Sequence, residues 1–223
     1  MTRVTGVAGL VAGICGILSG CFLPKGPPCN QYWDQSSPGV VRIVVENQTA
    51  GPLFFPTGCG QEPQPTLTRA DGTTVAMAQE HEPAGAPGEC GFTCQDKQTN
   101  PTVCMFAAAP CQSGFLRINP GASVSVNWER LEFRNRDMPD MCWASNTEQS
   151  CSQVMRSDEG AYTVSAQGFT TCEATSAARC ECAAGQDNCM LDPSAHQTES
   201  ATPVTATATF NVPADGEARV VFR

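Results

Sequence analysis

Apolar residues recur at every second position in several short stretches of this chain, and Gly, Pro, Asn and Asp separate the stretches. Near the C-terminus Val204, Ala206, Ala208, Phe210 and Val212 alternate with Thr205, Thr207, Thr209 and Asn211, and Ala218, Val220 and Phe222 repeat the pattern. A period of two places each set of side chains on its own face of an extended backbone, so each stretch predicts a half-buried β-strand. Tyr162, Val164 and Ala166 follow the same rule after Gly160, as do Val124, Val126 and Trp128 after the turn Asn119-Pro120-Gly121. Phe115-Leu116-Arg117-Ile118 precedes that turn and is expected to pair with the strand beyond it. Val40-Val41-Arg42-Ile43-Val44-Val45 is short and β-branched, turn-formers at 47–51 close it, and Leu53-Phe54-Phe55 reads as the next strand. Asn47-Gln48-Thr49 fits a glycosylation sequon and reads here as part of that turn. Thr66-Leu67-Thr68-Arg69 and Thr73-Thr74-Val75-Ala76 flank Asp71-Gly72, a hairpin signal because both turn positions tolerate positive φ. About nine strands and no helical period predict an all-β chain folded as a single β-sandwich.

The cysteines fall between these predicted strands. Of the 14 in the chain, Cys15 and Cys21 lie near the N-terminus. Cys29 sits in the Pro- and Gly-rich stretch 22–38, with Tyr32 and Trp33 as its aromatic docking points, and Cys59 in an early loop. Cys90, Cys94, Cys104 and Cys111 fall in an insertion near 79–113, Cys142 and Cys151 in one near 135–159, and Cys172, Cys180, Cys182 and Cys189 in one near 170–201. Connections of this length without structure of their own are uncommon in compact domains, so disulfides are expected to brace each insertion. Twelve cysteines in an exported chain predict six disulfides, with the pairing left open. A zinc site would need reduced thiolates, and Cys180 and Cys182, one residue apart, are expected to bond outward. No metal or cofactor is expected.

Residues 4–18 form an uncharged apolar run after Arg3, shorter than the roughly 20 residues that span a bilayer. The run closes on Leu18-Ser19-Gly20-Cys21, and helix-hostile Pro24, Gly26, Pro27 and Pro28 follow. This ending resembles the lipobox of bacterial lipoproteins. The resemblance implies cleavage before Cys21, acylation of its thiol and new amino group with palmitate-type chains, and a lasting membrane anchor. Phe22 after the anchor implies the outer membrane of a Gram-negative-type cell envelope. The expected organisation is a signal peptide at 1–20, a lipid-anchored tether at 21–38, and the sandwich with its three insertions at 39–223.

The order of landmarks carries a second resemblance. Val41 to Asn47, then Leu53-Phe54-Phe55-Pro56-Thr57-Gly58, Arg69-Ala70-Asp71-Gly72, Ile118-Asn119-Pro120-Gly121-Ala122, Trp128 and Gly160-Ala161-Tyr162-Thr163-Val164 resemble the intracellular proteinase inhibitor-like, Ig-like domains of bacteria. The resemblance implies an Ig-like sandwich and, as an alternative function, inhibition of proteinases. The chain has no segment that maps onto an inhibitory site.

Charge and motifs narrow the function further. Formal net charge is −9, and removal of residues 1–20 takes away Arg3 and makes it −10. Nucleic acid, which needs clustered Lys and Arg, is therefore not an expected partner. Arg130, Arg134 and Arg136 alternate with Glu129, Glu132 and Asp137 and read as a solvated face. His81, in Glu80-His81-Glu82, and His196 are the only histidines; two cannot make an all-histidine zinc site, and no nucleophile motif accompanies either. Both read as exposed loop residues. Met138-Pro139-Asp140-Met141-Cys142 gathers soft donors that suit Cu(I), although oxidation of Cys142 is the expected state. The sum predicts a non-enzymatic lipoprotein of the cell envelope. Its cross-linked insertions are expected to form one surface for a protein, peptide or envelope glycan.

Overall fold

A computed structural model describes residues 28–57, 62–78, 93–99, 114–144, 150–172, 180–191 and 203–223. The strands are β1 (Val41–Asn47), β2 (Leu53–Thr57), β3 (Thr66–Arg69), β4 (Thr74–Val75), β5 (Met77–Ala78), β6 (Gly114–Ile118) and β7 (Ser123–Trp128). They continue with β8 (Leu131–Asp137), β9 (Ser150–Arg156), β10 (Gly160–Phe169), β11 (Asn188–Met190), β12 (Pro203–Val212) and β13 (Glu217–Phe222), and a single helix among the described residues, α1, covers Cys94–Thr99. The chain is an all-β sandwich. One layer is the three-stranded sheet β13-β1-β7, in which β1 and β13 run parallel; the other is the seven-stranded sheet β11-β6-β2-β10-β3-β4, with β12 on the second edge of β10. A third sheet, β5-β8-β9, extends the sandwich at one side.

The alternating stretches put their apolar faces into one core. Val41, Ile43 and Val45 of β1 and Val220 and Phe222 of β13 oppose Leu53, Phe55, Leu116, Ile118, Tyr162, Val164 and Phe210 from the large sheet. Burying each such side chain stabilises the fold by about 1.5–3 kcal/mol, which makes this layer the main source of stability. Trp128 anchors the centre, its ring 5.3 Å from that of Tyr162 and 6.1 Å from that of Phe210, while its Nε1 donates to the Leu131 carbonyl at 3.0 Å. The Tyr162 hydroxyl donates to the Asp158 carbonyl four residues earlier.

Asn47 explains how the chain crosses between layers. It is fully buried; its amide donates to the carbonyls of Gly51 and Ile118, and its Oδ1 accepts from the Thr49 backbone and hydroxyl. The expected turn is therefore present, with the sequon's asparagine consumed inside it. The Asp71-Gly72 hairpin is also present: β3 and β4 pair around it, and Gly72 has φ +85°.

Three expectations are corrected. First, β6 and β7 do not pair: β6 lies between β11 and β2, whereas β7 pairs with β1. Their apolar faces meet across the core from opposite layers, and the turn at Gly121 (φ +79°) is an arch held by Asn47 through two backbone hydrogen bonds, Gly121 N to Asn47 O and Asn47 N to Ala122 O. Second, about nine strands become thirteen among the described residues, because β5, β8, β9 and β11 were not anticipated. The β8–β9 hairpin occupies much of the second insertion, so Cys151 lies on a strand, as does Cys189 on β11. Third, the first insertion contains a helix. Its Thr93 hydroxyl accepts from the Asp96 backbone N–H at 3.3 Å while Asp96 accepts from the Thr93 N–H at 3.1 Å, a capping box in a helix too short to show a period.

Candidate binding face

Residues 28–38 are a strap. A 3₁₀ turn over Cys29–Tyr32 starts it, and the rest runs along the outer edge of β9. Gln35 N donates to the Val154 carbonyl, Val154 N to Asp34 Oδ1, and Arg156 N to Gln35 Oε1, each at 2.9 Å. Gln153, only 2% exposed, turns its amide outward to the carbonyls of Gln31 (2.9 Å) and Trp33 (2.7 Å). An open strand edge is a template for unwanted pairing, and here side-chain and main-chain oxygens of the strap cover it. Burial raises the Asp34 carboxyl above its ordinary range; hydrogen bonds from Thr93 and Val154 oppose the shift, and Asp96 adds to it.

Disulfides lock this end. Cys29 bonds Cys142 and Cys94 bonds Cys151, so the tether is joined to the second insertion and the second insertion to the first. Cys94, Met138, Cys142 and Cys151 form a buried knot with Cys29, Tyr32 and Trp143 packed on it. Trp143 Nε1 donates to the Met138 carbonyl at 2.7 Å, and the Lys97 ammonium lies 5.4 Å from the indole centroid. Of the two aromatic docking points expected in the tether, Tyr32 packs into the knot; Trp33 stands 55% exposed, and Met141 beside Cys142 is 65% exposed.

The third insertion is braced from within by Cys172–Cys180 and Cys182–Cys189, so Cys180 and Cys182 do bond outward. Its Cys172, Cys180, Cys189 and Leu191 pack with Phe54 and Phe115, and Arg117 ties it down by donating to the Cys180 carbonyl at 2.7 Å. The first and second insertions are thus braced to each other and to the tether, and among the described residues the third packs in a separate buried cluster. All eight described cysteines are oxidised. Cys21 with the lipobox, Cys59, Cys90, Cys104, Cys111, His81 and His196 lie outside the described residues.

The expected solvated face is not one at Glu132, which is 2% exposed. Its carboxylate takes ion pairs from Arg69 of β3 and Arg134 of β8, and Asp158 accepts from Arg134 at 2.7 Å. Arg69 reaches this point from the large sheet, so the network clamps the third sheet to the sandwich. The sequence pattern hid it because an alternating charge run looks the same whether its carboxylate faces water or an arginine from another strand.

The soft-donor segment does not offer a thiolate, since the Cys142 sulfur is bonded to Cys29 and its two methionines differ completely in exposure. Among the described residues no group of three or more His, Cys, Asp or Glu side chains is placed to hold a metal ion. A groove of about 410 Å³ opens at the seam between β12 and β13, lined by Thr49, Leu53, Val204, Ala206, Val221 and Arg223 among others. Its walls are apolar, Phe222 included, and hydroxyl-bearing, and Arg223 is the one ionisable side chain in them. Such walls can hold an extended apolar segment; they bring no acid-base pair or nucleophile together. Beside the groove, β12 pairs only with β10 among the described residues, and none of its ten residues is charged. No protein-family model, no curated protein and no solved structure matches the chain.

Proposed function

We propose that this protein is an exported, lipid-anchored module of the cell envelope that works by binding. Its anchor is the acylated Cys21 in the outer membrane, and its partner is a protein or peptide segment that adds to the β12 edge with side chains in the adjoining groove. The observation that carries the reading is the long uncharged edge beside a groove of apolar and threonine side chains, in a chain whose net charge is otherwise strongly negative. Strand addition draws affinity from main-chain hydrogen bonds and specificity from alternate side-chain pockets. The export half of the proposal draws support from the oxidised state of all eight described cysteines, which suits an oxidising compartment. The Ig-like reading draws support from the Tyr162 hydroxyl bonded back to Asp158 at the start of β10 and from the buried Trp128 beside it.

Envelope extracts passed over immobilised mature domain provide the test, with Thr207→Lys as the paired variant. Thr207 is exposed on β12, and a lysine there discourages pairing at the edge. Partners that bind the native domain and are lost from T207K are the expected result; retention of every partner overturns the assignment of the edge. Intact mass of the membrane-extracted protein is expected to show a chain starting at Cys21, carrying two or three acyl groups, with all twelve remaining cysteines alkylated only after reduction.

A further inference from the structure

The large hydrophobic side chains that stand exposed among the described residues are Trp33, Val40 and Met141. All three lie on the N-terminal segment or next to the cysteine bonded to it. Trp33 directly follows the 3₁₀ turn that carries Cys29, and Met141 directly precedes Cys142. Trp33 and Met141 thus lie four residues and one residue along the chain from the two cysteines of the Cys29–Cys142 bond, whose Cα atoms are 5.4 Å apart, while Val40 follows the strap.

The exposure of the indole is imposed by the backbone. Trp33 N–H donates to the Asn30 carbonyl at 3.1 Å, and its own carbonyl accepts from Gln153 at 2.7 Å. Both main-chain groups are thereby fixed, and Tyr32, not Trp33, fills the space against the knot. With Cys21 as the proposed anchor, residues 22–27 alone separate it from the described chain at this end. Cys21 lies eight residues before Cys29, and eight peptide steps reach at most about 28 Å.

We propose that this end of the domain rests on the lipid surface itself, with Trp33 and Met141 entering the boundary between headgroups and acyl chains. The inference rests on acylation of Cys21. Tryptophan suits that layer because its ring is apolar and its N–H is polar, which is why it concentrates at membrane interfaces. The exposed Asp140 beside Met141 and the negative net charge oppose any attraction of Lys25 or Lys97 to anionic lipid, so the contact proposed is an apolar one that salt changes little. Two contacts, the acyl chains and this patch, then fix the orientation of the domain instead of leaving it to swing on its linker.

The test uses the lipidated full-length product reconstituted into phosphatidylcholine vesicles with brominated acyl chains, which quench only tryptophans in contact with them. The chain has three tryptophans; Trp128 is buried in the core and Trp143 packs on the knot. The expected result is a blue shift and a loss of up to one tryptophan's share of the emission, unchanged at high salt, absent in Trp33→Phe and reduced in Met141→Ser. Protein that floats with the vesicles but shows the same emission with brominated as with unbrominated acyl chains overturns the contact and leaves the anchor standing. Protein that does not float overturns the anchor, and the contact with it.

Discussion

Glu132 shows what a single buried carboxylate does in this molecule. It is closed off from water and satisfied by Arg69 and Arg134, which come from different sheets. Removing one partner of such a cluster strands the others' charge, a loss that generally costs about 3–5 kcal/mol. Glu132→Ala is therefore expected to lower the unfolding free energy by about 3 kcal/mol in a urea titration, while Arg134→Ala, which leaves Arg69 on the carboxylate, is expected to cost less. The sequence displayed these residues as a mixed-charge run and could not display Arg69, which is 63 positions away from Glu132. Disulfide bonding of the eight described cysteines was legible from their even count between strands, yet the partners were not, because spacing along the chain does not report proximity in space.

At the scale of elements, the strap and β9 form a unit whose stability depends on pH through Asp34. Burial holds that carboxyl above its ordinary value, so the folded protein binds the proton more tightly than the unfolded chain does. Protonation then stabilises the fold; the contribution is fully present below the unfolded-state value and is lost as pH rises through the raised folded value. An amide keeps the Oδ1 acceptor for Val154 N–H without the charge. Asp34→Asn is expected to raise the urea midpoint at pH 7 relative to the native protein and to change it little at pH 3. The alternating strands β10, β12 and β13 were readable in advance because one face is apolar and the other is not. The pairing of β6 was not, since alternation says which side faces the core and is silent on which layer the strand joins. The β8–β9 hairpin escaped because buried Glu132 and Gln153 give it a polar sequence, and α1 because six residues make less than two turns; its Thr93-x-x-Asp96 box was the available signal.

Over the whole molecule, covalent links and sheets divide the work. The core between the layers stabilises the sandwich, while Cys29–Cys142 closes a loop with a sequence separation of 113, almost the span from the strap to the end of the third sheet's first long strand. Restricting the unfolded chain over a loop of that size is worth about 5 kcal/mol in the chain-entropy picture. The double variant Cys29→Ala/Cys142→Ala is expected to lower the thermal midpoint and to leave residues 28–38 open to proteolysis, while the core strands keep their protection against hydrogen exchange.

The same bond also governs how the protein carries load. If the proposed anchor at Cys21 held one end while a partner pulled on the other, tension entering at Cys29 would pass through the sulfurs to Cys142 and bypass the 112 residues between. Strands β1 to β8 lie inside this bypassed stretch, so they cannot be drawn out as a thread while the bond is intact. What yields first must lie C-terminal to Cys142, and reduction of one bond would change the molecule from a short, stiff link into a long, extensible one.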